Sequence, residues 1–251
     1  MQTTKTNLTD LTSVRQLIAD GALFVINHSG GKDSQAMTLR LAALIPKDQL
    51  VIVHAHLPGV EWDNSLEHIK ETALGIEVHV CQAVKTFMQM VEHRGKFPDA
   101  HRRQCTSDLK RGPIDKIIRA LVAKRTNKTV VSCMGLRADE SPARAKKETL
   151  KINERNSIAG RTWLDWLPIH DLTTAEVFST IHDAGQKAFW IYYKGMTRKS
   201  CCFCIMASKG DLTTAAKLRP ELYAQYVETE KRLGFTLSMS RKTLPEITGI
   251  A

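Results

Sequence analysis

No apolar run in this 251-residue chain approaches the roughly 18 residues needed to span a bilayer. The opening stretch, MQTTKTNLTDLTSV, has no hydrophobic signal core, so a cytoplasmic address with no membrane partner is expected. Glycine (14) and proline (8) are too sparse for a fibre or a flexible tether, and no repeat or low-complexity block interrupts the chain. Acidic residues are also scarce: 26 against 36 basic ones leave a net charge of +10. Such an excess suits polyanionic partners, nucleic acid or nucleotides first, with a merely soluble basic surface as the plainer alternative. In a reducing compartment the six cysteines point to metal or catalytic roles rather than to disulfides.

What is present alternates between β-rich apolar runs and helical patterns, the mark of βαβ units on a mostly parallel sheet with helices on both faces. Strands are expected at 22–27, 49–57, 76–82 and 128–136, with a short one around WLDWLPI. Helices are expected at 34–45, near 62–73, and at 113–125, 173–184, 211–218 and 219–233. The stretch 137–162 reads as polar and charged. We expect an α/β nucleotide-binding domain over 1–185 and a cysteine-bearing helical extension over 186–251 packed on it.

Between the first strand and the first of these helices lies Ser29-Gly30-Gly31-Lys32-Asp33-Ser34. Glycines let backbone N–H groups converge, and a helix N-terminus adds a positive dipole end, so the segment suits an anion. Lys32 adds a full charge, and the Ser29 and Ser34 hydroxyls can donate to phosphate oxygens. A Walker A loop would need glycine where Ile26 stands and Ser or Thr where Asp33 stands. The dinucleotide fingerprint G-x-G-x-x-G fails too. A tight turn with a solvated lysine is the plain alternative.

The hexapeptide resembles the pyrophosphate (PP) loop of the adenine-nucleotide α-hydrolase superfamily. That superfamily includes ATP pyrophosphatases and the PAPS/APS (sulfonucleotide) reductases. Three further segments resemble the reductase-like branch: HAHLPGVEWDNSLEHI (54–69), GLRADESPARAKK (135–147) and YYKGMTRKSCCFC (192–204). The resemblance implies a PP-loop α/β fold, with ATP held by Ser29, Gly30, Gly31, Lys32, Asp33, Ser34, Gly135, Arg137 and Arg144. It casts Lys32, Asp33 and Arg137 as catalytic, with Mg²⁺ accompanying ATP. Asp33 is expected to orient the loop or a magnesium-bound water. A bidentate guanidinium fork is the reason arginine suits a phosphate rim. A second basic patch, HRGKFPDAHRRQC (93–105) with LKRG (109–112), flanks Cys105 and could hold a nucleic-acid backbone or another anionic substrate.

Cys201 and Cys204 have C-x-x-C spacing, with Cys202 between them and the Arg198–Lys199 pair nearby. The spacing alone leaves an iron–sulfur centre, structural zinc, a redox dithiol and small core residues open. In the family a cysteine pair, a lysine and a proline precede the later C-x-x-C. Here Cys105, Lys110 and Pro113 match, but Thr106 replaces the second cysteine. The resemblance thus implies a [4Fe–4S] cluster on Cys105, Cys201 and Cys204, with zinc as the alternative and Cys202 as a candidate fourth ligand. Cys81 and Cys133, inside strand patterns, read as core.

These features lead to an expected ATP pyrophosphatase that adenylates an oxygen for replacement by sulfur on a nucleic acid. DNA phosphorothioation is placed slightly ahead of tRNA thiolation. A cysteine desulfurase or another sulfur donor is the expected partner, and a homodimer is an open expectation. The chain shows no cysteine after Cys204, where a sulfonucleotide reductase would carry a nucleophile in its tail. APS/PAPS reduction is therefore the alternative, with a non-catalytic nucleotide-binding protein as the third reading.

Overall fold

The computed structural model describes residues 8–250. Six strands form one sheet: β1 (Leu23–Asn27), β2 (Leu50–Ala55), β3 (Val78–Cys81), β4 (Thr129–Cys133), β5 (Leu150–Ile152) and β6 (Thr162–Trp166). Helices are α1 (Leu8–Ala19), α2 (Lys32–Ala42), α3 (Ser65–Glu71), α4 (Phe87–Arg94), α5 (Gln104–Thr106) and α6 (Gly112–Ala123). They continue as α7 (Pro142–Ala145), α8 (Thr174–Asp183), α9 (Lys209–Leu218), α10 (Pro220–Leu233) and α11 (Leu244–Thr248). A π-helical turn, Ser107–Arg111, joins α5 to α6. None of the described helices is long and apolar enough to cross a membrane.

The strand order is β3-β2-β1-β4-β6-β5. β1 pairs in parallel with both β2 and β4, β4 pairs in parallel with β6, and β5 closes the edge antiparallel to β6. The mostly parallel α/β sheet expected from the sequence is therefore present. Leu23, Phe24, Val25 and Ile26 are all buried, as the apolar run of a strand covered on both faces requires. Each such side chain contributes about 1.5–3 kcal/mol on burial. Chain order runs outward from β1 through β2 to β3, then returns to β4 on the other side of β1. The reversal leaves a crevice at the carboxyl ends of β1 and β4, where open α/β sheets bind ligands.

The chain divides into two compact units, and neither is one continuous segment. The sheet unit comprises 1–54, 66–80 and 115–188; the other comprises 55–65, 81–114 and 189–251. The break after residue 188 lies close to the expected boundary. Residues 55–65 and 81–114, however, group with the C-terminal segment rather than with the sheet. The reason is burial. Trp62, Phe87 and Phe97 share one apolar cluster with Phe189, Phe203, Tyr223 and Tyr226. The sheet unit has its own mainly aliphatic core, including Phe24, Ile26, Met37, Leu41, Ile52, Val131 and Trp166.

Several elements carried little pattern. α4 is set by a capping box between Thr86 and Gln89 and ends at Gly95 in the left-handed conformation. β5 and α7 lie in the stretch that reads as merely polar.

Candidate functional site

The first site is built at the strand-order reversal of the sheet unit. At the end of β1, Asn27 Nδ2 donates to Ser132 Oγ (2.9 Å) and to the Cys133 carbonyl (2.9 Å), tying β1 to β4. The chain then turns through Gly30, whose φ of 78° favours glycine, and its N–H donates to His28 Nδ1 at 3.0 Å. Gly31 caps α2 with no side-chain hydrogen bond. The first turn of α2 thus receives no side-chain cap, which suits an anion at a positive dipole end. Lys32 is buried, and its ammonium lies 3.0 Å from Asp33 Oδ2.

Arg137, just after β4, is 2% exposed. Its Nε donates to Asp33 Oδ1 at 2.7 Å, and one terminal nitrogen bonds Asp139 and the Leu172 carbonyl, both at 3.1 Å. The other terminal nitrogen bonds Thr174 Oγ1 at 3.0 Å. All three guanidinium nitrogens are thus used inside the protein, and Arg137 positions Asp33 and the loop. Asp33 carries Lys32 on one oxygen and Arg137 on the other, so one carboxylate bridges the two cations. Hydrogen bonds from Thr174 hold the Asp139 carboxyl below its usual range, with Arg137 adding to the effect.

Gly135 explains its own identity. A Cβ there would lie 3.2 Å from the Asp33 carbonyl carbon and 3.3 Å from its oxygen, so the loop after β4 approaches the backbone at the start of α2 directly. The Ser34 hydroxyl donates to the Gly31 carbonyl (2.9 Å) and so braces the turn, whereas Ser29 is exposed at its tip. Arg144, half-buried in α7, pairs with Glu140 of the preceding 3-10 turn. Asn27, Asp139 and Thr174 were not singled out by sequence. Isolated Asn, Asp and Thr residues carry no pattern until the fold closes.

The second site lies within the other unit. Cys105 precedes the π-helical turn that carries Lys110, and Cys201 and Cys204 lie on the loop before α9. Asp211 anchors that loop by accepting from Thr197 N (2.7 Å) and Thr197 Oγ1 (2.8 Å). Burial pushes the Cys105 thiol up, and Cys201 and Cys204 push it further while Lys110 opposes them. Burial likewise raises Cys201, against Lys110. The Cys201 thiolate in turn raises Lys110 above the ordinary lysine range against its own burial, with Cys204, Cys105 and Glu61 adding. The Met206 N–H points at the Cys204 sulfur from 3.5 Å.

Glu61 and Lys199 complete the polar lining. Their 3.1 Å ion pair is nearly buried, with Lys199 also 5.4 Å from the Phe189 ring centre. Burial lowers Lys199, and Glu61 offsets part of that. Cys202 sits differently. It is 1% exposed, its N–H donates to the Val60 carbonyl at 2.9 Å, and burial pushes its thiol up to about 12. That is core packing, which leaves Cys105, Cys201 and Cys204 as the gathered thiols. Cys81 and Cys133 are also buried, with Cys81 pushed up to about 11.

The donor set suits a metal centre. Burial holds the Cys105 and Cys201 thiols in their protonated form, and a bound cation would favour the thiolates. The Tyr226 hydroxyl is fully buried with no hydrogen-bond partner among the described residues, and its surroundings include Cys105, Cys201, Cys202 and Cys204. A buried hydroxyl left without an acceptor is costly, and sulfur at this site would supply one.

An open, mostly parallel α/β sheet with a Gly-Gly-Lys loop at its strand-order reversal is the PP-loop fold. The sequence model of the phosphoadenosine phosphosulfate reductase domain matches residues 24–207, and the chain belongs to that family of enzymes acting on nucleotide substrates. An uncharacterised protein of Methanocaldococcus jannaschii is 27% identical over 210 residues, covering 83% of this chain and 48% of its own length. An uncharacterised 37.8 kDa protein of Escherichia phage 186 is 31% identical over 146 residues, covering 58% of this chain and 42% of its own length. The chain thus matches less than half the length of these curated relatives. Among solved structures, the PAPS reductase of Candida auris in complex with phosphate superposes with a TM-score of 0.51 at 12% identity. That alignment covers 78% of this chain and 90% of the reductase, and it speaks for the fold.

Proposed function

We propose that the chain is an ATP pyrophosphatase that activates an oxygen of a nucleic acid for replacement by sulfur. The observation that carries this reading is that Cys105 and Cys201, from two distant segments of the chain, pack against one buried cluster, with Cys204 on the same loop as Cys201. Such a set of thiols is what a centre that carries sulfur would use.

In the first step an acceptor oxygen attacks the α-phosphorus of ATP, the α–β bond breaks and pyrophosphate leaves. Backbone N–H groups of the loop and Lys32 are placed to stabilise the charge developing on pyrophosphate, and Mg²⁺ would enter with ATP. Arg137 acts through Asp33, holding the loop in the shape that receives the phosphates. In the second step a sulfur nucleophile attacks the activated centre, and the bond to AMP breaks with AMP leaving. Cys105, Cys201 and Cys204 would hold a [4Fe–4S] cluster, or zinc, and an iron–sulfur centre there would bind and present the sulfur. Lys110 and Lys199 would offset its negative charge. A DNA phosphate oxygen is the favoured acceptor over a tRNA base carbonyl, with a cysteine desulfurase or similar protein as donor.

The test is to incubate anaerobically purified protein with ATP, a sulfur donor and either duplex DNA or unmodified tRNA. AMP and pyrophosphate should form in proportion to sulfur recovered in nuclease digests. No AMP or pyrophosphate with any acceptor would sink the proposal. Reduction of APS or PAPS is the second reading, favoured by the family match; sulfite release with thioredoxin would establish it instead.

A further inference from the structure

The positive charge of this protein is unevenly held. The sheet unit has 19 Lys and Arg against 16 Asp and Glu, a net +3. The other unit has 17 against 10, a net +7 in fewer residues. Part of that excess is concentrated in one loop. Residues 94–111 include Arg94, Lys96, Arg102, Arg103, Lys110 and Arg111 against only Asp99 and Asp108. Lys96, Arg102, Arg103 and Arg111 are exposed.

Both carboxylates are engaged in shaping the loop. Asp99 Oδ1 accepts from the backbone of His101 (3.0 Å) and Arg102 (2.7 Å), and Asp108 accepts from Gln104 (2.8 Å) and Ser107 (2.7 Å). Neither is in a salt bridge with Arg102, Arg103 or Arg111 among the described residues. The turn they build holds Arg103 at φ 34°, ψ 52°, a left-handed conformation that Asn or Gly adopts more readily than arginine. One terminal nitrogen of Arg94 is buried with no partner among the described residues. All of this lies immediately before and after Cys105.

We infer that Lys96, Arg102, Arg103 and Arg111, with Arg94 behind them, form a track for the sugar–phosphate backbone of the acceptor. Its place in the chain brings a nucleic acid to the thiol group at Cys105. This rests on the reading of the chain as acting on nucleic acid and adds the surface by which it does so. The recognition is of charge and not of base sequence, because these cations are not interleaved with exposed aromatic side chains on which bases could stack.

The test is fluorescence anisotropy of the full chain with a labelled DNA duplex and with unmodified tRNA, over about 50–300 mM salt. The variant is Lys96→Gln/Arg102→Gln/Arg103→Asn/Arg111→Gln; Asn at 103 suits the left-handed backbone, and circular dichroism checks the fold. Its slope of log affinity on log salt should be shallower by about 0.9 for each duplex phosphate that the variant no longer neutralises. Lys217→Gln/Lys231→Gln, which removes exposed charge from α9 and α10, should leave the slope unchanged. A loss confined to the DNA or the tRNA arm identifies the acceptor. An unchanged slope in the loop variant, an equal loss in the control, or no binding by the parent protein overturns the track. A parent that binds with the expected slope but transfers no sulfur sinks the transfer reading alone. A parent that transfers sulfur while the loop variant keeps its slope sinks the track alone.

Discussion

In the sheet unit, buried Arg137 meets two carboxylates, a carbonyl and a hydroxyl, so its charge is matched within the fold. In the other unit, Lys110 lies among thiols, and the Tyr226 hydroxyl has no partner among the described residues. The first arrangement is complete by itself and presents a finished cradle. In the second, the Tyr226 hydroxyl and Lys110 are groups that the proposed metal centre would engage. On the proposed function, the first site receives a ligand that comes and goes and the second holds a resident group.

Changes at the two sites should therefore differ in kind. The largest effect is expected for Cys201→Ser: iron and visible absorbance should vanish together with sulfur transfer, while ATP affinity measured by calorimetry stays within about twofold. Retention of iron in this variant would remove Cys201 from the ligand set. Next comes Arg137→Ala, which strips a buried ion pair and leaves Asp139, Thr174 and a carbonyl without their donor. A destabilisation of about 3–5 kcal/mol is expected, read as a fall in Tm of about 6–20 °C, with ATP binding weakened at least tenfold. A small change in Tm would show that the network is not a matched core element.

Smaller effects sharpen the contrast. Tyr226→Phe should stabilise the metal-free protein by up to about 1 kcal/mol, because it removes an unsatisfied buried hydroxyl. In the iron-loaded protein the same change should shift the visible spectrum or the reduction potential. Cys202→Ala should cost about 1 kcal/mol through poorer packing and leave iron content untouched. Loss of iron would instead make Cys202 a ligand. Arg144→Gln should be the mildest, about 0.2–1 kcal/mol for its ion pair with Glu140, measured by urea denaturation.

Much of the sheet unit was legible because its signals are local. Buried parallel strands are continuous apolar runs, and Gly30-Gly31-Lys32 between strand and helix carries its chemistry in consecutive residues. The other unit was less legible. Its core joins Trp62, Phe87 and Tyr226 from three separate segments, so no window of sequence contains it. α4 is only eight residues long, and α5 with its π-helical turn has no regular period. In the loop site, Lys32 and Arg137 were singled out as charges near phosphate. That Arg137 spends its whole fork on Asp33, Asp139, Leu172 and Thr174 depends on partners that only the closed fold brings together.

The sequence by itself determined the class of sheet, the loop between β1 and α2 and the cysteines worth watching, because each depends on neighbours within a few residues. The tertiary structure decided which unit each segment joins, that the Arg137 fork is spent on Asp33, Asp139, Leu172 and Thr174, and that Cys202 is buried in the core. Those choices follow from burial and charge pairing across long stretches of chain, where the partner that satisfies a group cannot be read beside it.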